Sequence, residues 1–469
     1  MKKTLLSALL FALLSAAVTA DDGEPVAQSV FHVENFGFFD NREVHSPYQF
    51  SGTYFGTRLG ADWGFLLGNS SVAAGGYVIK DFGQQGLTAS DWTLYYRYQG
   101  GRFSGAFGSF PRSLLFRELP DVFVDEVIRY YTPNLGGALF QMKTYKYGVP
   151  NGYVELYCDW LSRQSITERE IFEIVSDGEW QFDQFTDDLF KVPKRNWSAG
   201  ATTSTGGVEH GIGALGYNAR LTHFSVRKGV TPDRVYDKLM LNPYATIRYP
   251  FFLFRDESNG IFTLSAGPMA SFNRDRTDHV WKMPIGLLYD ASCYFPFFRT
   301  GANMELRHRA YMGKPLMSDY DLYGTQLHRG DPYYRSSEYQ RLDASFILVH
   351  SNDSHPATRS RSSYYVDCRV TASFHLLKDH IDYSQQIHVR LLFLQFSKFG
   401  SHGGIATHQL FDGDVLQFIV GKLQMAHGHL QFLFNFFQIF NGFVNVVDGI
   451  FKVFIRQSAV PIKFILKII

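Results

Sequence analysis

The chain has 469 residues, a formal net charge of +1 and a mean hydropathy of −0.13. Near-zero charge supplies no global field for nucleic acid. The hydropathy, with no apolar run of about 18 residues between Asp21 and Phe393, excludes a bundle of membrane helices. Aromatic residues are 16% of the chain, with 27 Tyr and 44 Phe, a load that suits the two aromatic girdles of a transmembrane β-barrel.

In chain order, Lys2 and Lys3, an apolar core over residues 5–17 and the small residues Val18, Thr19 and Ala20 read as a secretory signal peptide over residues 1–20. No cysteine follows the core, so a lipid-anchored N-terminus is not expected. A first strand is expected near residues 30–39. Short Gly/Asn-rich turns follow at Gly68-Asn69-Ser70-Ser71, Gly100-Gly101, Pro150-Asn151-Gly152 and Ser176-Asp177-Gly178. They alternate with longer polar links over residues 40–48, 84–90, 117–126 and 162–168. Short periplasmic turns and longer outer loops have this rhythm in bacterial outer-membrane barrels. Between residues 179 and 234 the strand pattern is weak.

Strands announce themselves by period-two alternation of polar and apolar residues. Over residues 93–99, Thr93, Tyr95 and Arg97 oppose Leu94, Tyr96 and Tyr98. Over 153–160, Glu155 and Asp159 oppose Val154, Leu156, Cys158 and Trp160. Residues 304–311 put Glu305, Arg307 and Arg309 on one side. In 363–376, Asp367, Arg369, Thr371, Ser373 and His375 oppose Val366, Cys368, Val370, Ala372 and Phe374. At the end of 381–393, Ile387, Val389, Leu391 and Phe393 point one way and His388 and Arg390 the other. The expected fold class is therefore all-β, an antiparallel transmembrane barrel over residues 21–393. At about 22 residues per strand and link it has about 16 strands, with 14 to 18 allowed. Cys158 and Cys368 should face its exterior.

Residues 394–469 differ: they hold no Tyr, Trp or Glu. They read as a disordered or helical extension, dispensable for the barrel. An amphipathic helix is one reading, and sequence appended to a barrel that ends at Phe393 is the preferred one.

The eight inferred lumen charges, Arg97, Glu155, Asp159, Arg248, Glu305, Arg307, Arg309 and Arg369, are the candidate pore-lining set. Opposed carboxylates and guanidiniums create a transverse field that selects solutes. No catalytic residue, metal ligand set or cofactor motif is expected. Cys158, Cys293 and Cys368 are far apart and odd in number, which argues against disulfides and zinc. The one arrangement with catalytic potential is His223-Phe224-Ser225, where i, i+2 spacing puts a base beside a nucleophile on one strand face. No orienting Asn or Asp can be placed from sequence.

Four strings, residues 78–83 (VIKDFG), 105–112 (GAFGSFPR), 155–165 (ELYCDWLSRQS) and 329–336 (RGDPYYRS), resemble those of uncharacterised porin-like outer-membrane β-barrel proteins of Bacteroides-type bacteria. The resemblance implies a porin-like barrel over about residues 30–393, without an assigned substrate or functional residues.

The reading that follows is a non-enzymatic outer-membrane channel, with membrane lipids and small polar solutes as partners and homo-oligomerisation open. The alternatives are a phospholipase-like hydrolase using His223 and Ser225, or a non-conducting surface-binding barrel.

Overall fold

The computed structural model describes residues 28–45, 51–146, 149–163, 170–182, 213–225, 235–252, 259–276, 279–296, 302–316, 329–351, 362–378 and 380–398. The expected signal peptide lies outside the described residues, as does the expected tail from residue 399 onward.

The strands are β1 (Gln28–Glu43), β2 (Gly52–Leu67), β3 (Ser70–Asp81), β4 (Ala89–Gln99), β5 (Phe103–Pro111), β6 (Asn134–Lys146), β7 (Val149–Ser162), β8 (Ile171–Gln181), β9 (Gly213–Ser225), β10 (Val235–Phe252), β11 (Asn259–Asp275), β12 (Val280–Lys282), β13 (Ile285–Pro296), β14 (Ala302–Gly313), β15 (Glu338–Ser351), β16 (Ser362–Leu376) and β17 (Ile381–Lys398). Sixteen of them pair antiparallel with their neighbours into one closed barrel. The short β12 pairs only with the end of β11 and lies outside the wall. Closure comes from β1 on β17, in register from Gln28 against Lys398 to Glu43 against Tyr383. That ladder leaves no open edge, the condition for a sheet to sit in hydrocarbon, where no water satisfies an orphan N–H or C=O.

Alternation sets the two faces. Phe107 and Leu215 on the outer face are 67% and 51% exposed, whereas Glu155, Ser373 and Asp382 on the inner face are fully buried. An apolar exterior on a closed antiparallel wall whose inner face carries buried polar side chains makes this an outer-membrane β-barrel. Both described ends of the wall, Gln28 and Lys398, lie on the side of the two-residue turn at Gly68 and Asn69. By the usual asymmetry that side is periplasmic and the opposite rim faces outward.

Three sequence expectations are corrected. The last strand runs past Phe393 to Lys398, because β1 starts at Gln28 and its N-terminal residues need partners. Ser176-Asp177-Gly178 is no turn but the interior of β8. Asp177 faces the lumen opposite Glu155, and a Cβ on Gly178 would crowd the Tyr217 ring. Pro150-Asn151-Gly152 lies inside β7, where the register shifts opposite Thr144 and Tyr145, so Asn151 is the extra residue of a β-bulge. Turn-like composition marks bulges and close packing as well as turns.

Cys158 shares its face with Leu156 and Trp160, both exposed on the barrel exterior. In bilayer-embedded protein, a bulky charged thiol reagent should therefore leave Cys158 unmodified, while detergent-denatured protein should react. Rapid labelling of the embedded barrel would reverse the face assignment of β7, since a one-residue slip inverts every side chain.

Candidate functional sites in the lumen and at the outer rim

The hydrophobic core of this barrel sits inside its lumen. The β5–β6 connection, residues 112–133, turns inward through a 3-10 turn at Arg112–Leu114 and a short helix α1 (Glu126–Tyr131). It carries Leu119, Val122 and Phe123 against the lumen-facing Tyr157, Val175, Met240 and Met269. The described parts of the β14–β15 connection, residues 314–316 and 329–337, also lie inward and add Leu316, Tyr333 and Tyr334 to the same cluster. Two backbone hydrogen bonds join the connections: Asp331 N–H donates to the Asp121 carbonyl at 2.8 Å, and Asp125 N–H to the Arg329 carbonyl at 2.6 Å. Gly330 permits this contact, because a Cβ there would collide with the Val122 carbonyl.

Polar anchors tie this plug to the wall. Arg309 from β14 pairs with Asp121 at 2.8 Å, and Arg42 from β1 pairs with Asp125 at 3.4 Å. Arg341 from β15 reaches Glu126 at 3.7 Å and both Asp121 and Asp331 at 3.8 Å. Tyr333 donates to Asp382 at 3.0 Å and Tyr334 to Asp121 at 2.9 Å. Burial and the neighbouring Asp125 and Asp121 carboxylates push the Asp331 carboxyl up to about 7. Against the same burial, Arg341 holds Glu126 well below the usual carboxylate range.

All eight charges singled out from sequence lie on the lumen face. Glu155, Asp159 and Arg309 are buried against the plug: Glu155 accepts from Phe116 N–H at 2.8 Å, and Asp159 lies 3.5 Å from Arg112. These three contact protein rather than an open water column, because period-two patterning marks the inner face but not what fills it. Arg248 pairs with Glu179 at 2.7 Å, Arg307 with Asp290, and Arg369 with Glu305 at 3.7 Å. Arg97 lies near the periplasmic end of β4. Asp121, Asp331 and Arg341, which join the plug together, were not legible as a site. Their one signal is that GAFGSFPR leads into the first connection and RGDPYYRS lies within the second.

A second constellation stands at the outer rim. His223 near the top of β9 pairs in register with Asp237 near the start of β10, and the His223 Nδ1 lies 2.8 Å from Asp237 Oδ1. Ser225 follows two residues on, along the same face. That face is the exterior, shared with Leu215, whereas Asn218, Arg220 and Thr222 between them point inward and are buried. Arg276 donates to the other Asp237 oxygen at 2.6 Å. Phe172 stacks on the imidazole with ring centroids 4.9 Å apart, and Trp160 stacks on Phe172 at 5.3 Å. Asp237 is the orienting carboxylate that sequence could not supply. A proton on Nδ1 donated to Asp237 leaves Nε2 as the basic nitrogen, the tautomer a general base needs.

Residues 23–193 match the family model described as lipid A 3'-O-deacylase-type. That description is an enzymatic activity, and it overturns the expectation that this protein is not an enzyme. The matched stretch spans β1 to β8 and ends before His223. Among solved structures, the outer membrane channel DcaP of Acinetobacter baumannii aligns with a TM-score of 0.34 and 11% identity, over 79% of this chain and 97% of its own. Pseudomonas aeruginosa OprD aligns at 0.36 and 12%, over 80% and 96%. The anion-selective porin from Comamonas acidovorans aligns at 0.37 and 9%, over 79% and 100%. Likeness at this level says nothing of the substrate. No curated protein matches this chain.

Proposed function

We propose that this protein is an outer-membrane ester hydrolase acting on acylated lipid of the outer leaflet, with Ser225 as nucleophile, His223 as general base and Asp237 as the group that positions the imidazole. The carrying observation is the 2.8 Å contact between His223 Nδ1 and Asp237 Oδ1, on the lipid-facing side of the outer rim. In the first step the Ser225 Oγ attacks the acyl carbonyl and its proton passes to His223 Nε2. The ester C–O bond then breaks, and His223 returns the proton to the departing alkoxide oxygen. Water, deprotonated by the same imidazole, releases the fatty acid from the acyl-serine. A substrate whose acyl chains lie in the membrane reaches such a site by lateral diffusion, with Phe172 and Trp160 beside it at the interface. The family description of the matched stretch supports an acyl ester of lipid A as the first substrate to try.

The test is ester hydrolysis by the purified barrel in mixed micelles containing lipid A, comparing wild type with Ser225→Ala. Loss of fatty-acid release to background, with the heat-modifiable folded band retained, is the expected result. Unchanged release in Ser225→Ala would remove the serine from the mechanism.

A second reading, passage of small polar solutes through the lumen, is favoured by one observation. Away from the plug the inner wall still carries opposed charges, Arg307 with Asp290 and Arg369 with Glu305, that are partly open to solvent. A barrel of about 16 strands is wide enough to hold water once its filling yields.

A further inference from the structure

We propose that the β5–β6 connection, together with residues 329–337, forms a gate, latched by Asp121, Asp125, Glu126 and Asp331 on the wall guanidiniums Arg42, Arg309 and Arg341, and that the gate opens to small polar solutes as pH rises. The inference rests on the solute-passage reading and adds its control.

The geometry of the first connection is that of a body on one hinge. It leaves and rejoins the wall at a single point, where Arg112 N–H donates to the Pro133 carbonyl at 2.8 Å. Between those residues it forms a compact loop packed by its own side chains. Its backbone bonds to the second connection include the two at Asp121 and Arg329. It is further held to the wall by the apolar cluster around Val122 and Phe123, by wall side chains that donate to the carbonyls of Leu114, Phe123 and Arg129, and by side-chain charge.

That charge does not balance. Four carboxylates of the connections share the three guanidiniums with two wall carboxylates, Asp40 at 2.8 Å from Arg42 and Asp343 at 2.7 Å from Arg341. The other titratable groups facing the cluster are Arg129 (which acts on Glu126 and pairs with Glu118 at 2.9 Å), Tyr130, Tyr333 and Tyr334 on the connections, Tyr339 on β15, His375 on β16, and Asp382 and His388 on β17. Of these, Asp382 adds further negative charge when ionised. Buried carboxylates in excess of their cations cannot all ionise together, so the closed state holds a proton that an open, hydrated state would release.

The proton belongs to the coupled carboxyls of Asp331 and Asp125, of which Asp331 is pushed up to about 7 by burial, Asp125 and Asp121. Burial likewise raises Asp125. The sign follows from linkage. For an acid raised in the closed state, the stabilisation of that state is fully present below its ordinary open-state value. It is lost progressively as pH rises and is gone above about 7. One linked proton changes the closed-to-open ratio by up to about tenfold per pH unit.

The experiment is conductance of the purified full-length protein in planar bilayers between about pH 5.5 and about pH 8.5, the window that brackets the raised carboxyl. Wild type should conduct at least about tenfold more at the alkaline end, with the change falling between the acid end and about pH 7 and levelling off above it. Asp331→Asn, which fixes the protonated-like state, should stay as closed at the alkaline end as wild type is at the acid end. Asp125→Asn should shift the transition the same way, and heat-modifiable migration reports whether each variant is folded. Absence of conductance at every pH overturns the solute-passage reading itself. Conductance independent of pH leaves that reading standing and overturns the gate. Folded Asp331→Asn and Asp125→Asn barrels that open with pH as wild type does overturn the latch.

Discussion

Replacing Asp237 by Asn is expected to slow ester hydrolysis by three to four orders of magnitude, about the cost of disabling the orienting acid of a serine–histidine–carboxylate system. The carboxylate sits 2.8 Å from His223 Nδ1 and accepts there. An amide offers the same shape but can present its NH₂, which favours the tautomer protonated on Nε2 and removes the base that the proposed mechanism needs there. Asp237 acts through His223, so its loss should fall on kcat more than on KM. Asp237→Glu should recover part of the rate. Asp237 also receives Arg276 at 2.6 Å, so an Arg276→Gln control separates loss of that surface pair from loss of the base. The barrel should stay folded, because the substitution lies at the outer rim, outside the lumen core. A kcat within about tenfold of wild type in folded Asp237→Asn would sink the assignment.

Arg341→Ala is expected to be the most damaging single change to the plug, at about 3–5 kcal/mol of destabilisation, because it leaves buried carboxylates without their shared cation. Arg341 is 3% exposed and pairs with Asp343 at 2.7 Å, Glu126 at 3.7 Å, and Asp121 and Asp331 at 3.8 Å. The loss should concentrate in the inward connections, since the wall is held by its own ladder from β1 to β17. Proteolysis within residues 112–133 under native conditions should therefore accelerate before the heat-modifiable band is lost. Adding Asp343→Asn to Arg341→Ala should recover part of the stability, as removing both partners costs less than stranding one. Resistance to proteolysis equal to wild type in Arg341→Ala would show that apolar packing of Phe123, Tyr334 and Leu316 alone holds the plug.

Much of the wall was legible in the sequence by itself. Period-two alternation gave the inner and outer faces of β4, β7, β14, β16 and β17, because in a sheet with lipid on one side and polar groups on the other each residue's chemistry states which way it points. The strand number of about 16 followed from length at about 22 residues per strand and link, whereas two of the four short turns read from composition lie within strands. What the sequence could not decide was everything that depends on proximity between distant segments. Nothing local distinguishes residues 112–133 from an outer loop, yet they fill the lumen, because their apolar side chains find Met240, Met269 and Tyr157 there. The Ser176-Asp177-Gly178 run looked like a turn because a glycine that admits a neighbouring ring is chemically identical to one that admits a bend. The same holds for the rim site. His223 and Ser225 declare themselves by spacing, but Asp237 becomes their partner only through the register of β9 on β10, and register is a property of the assembled sheet rather than of either strand.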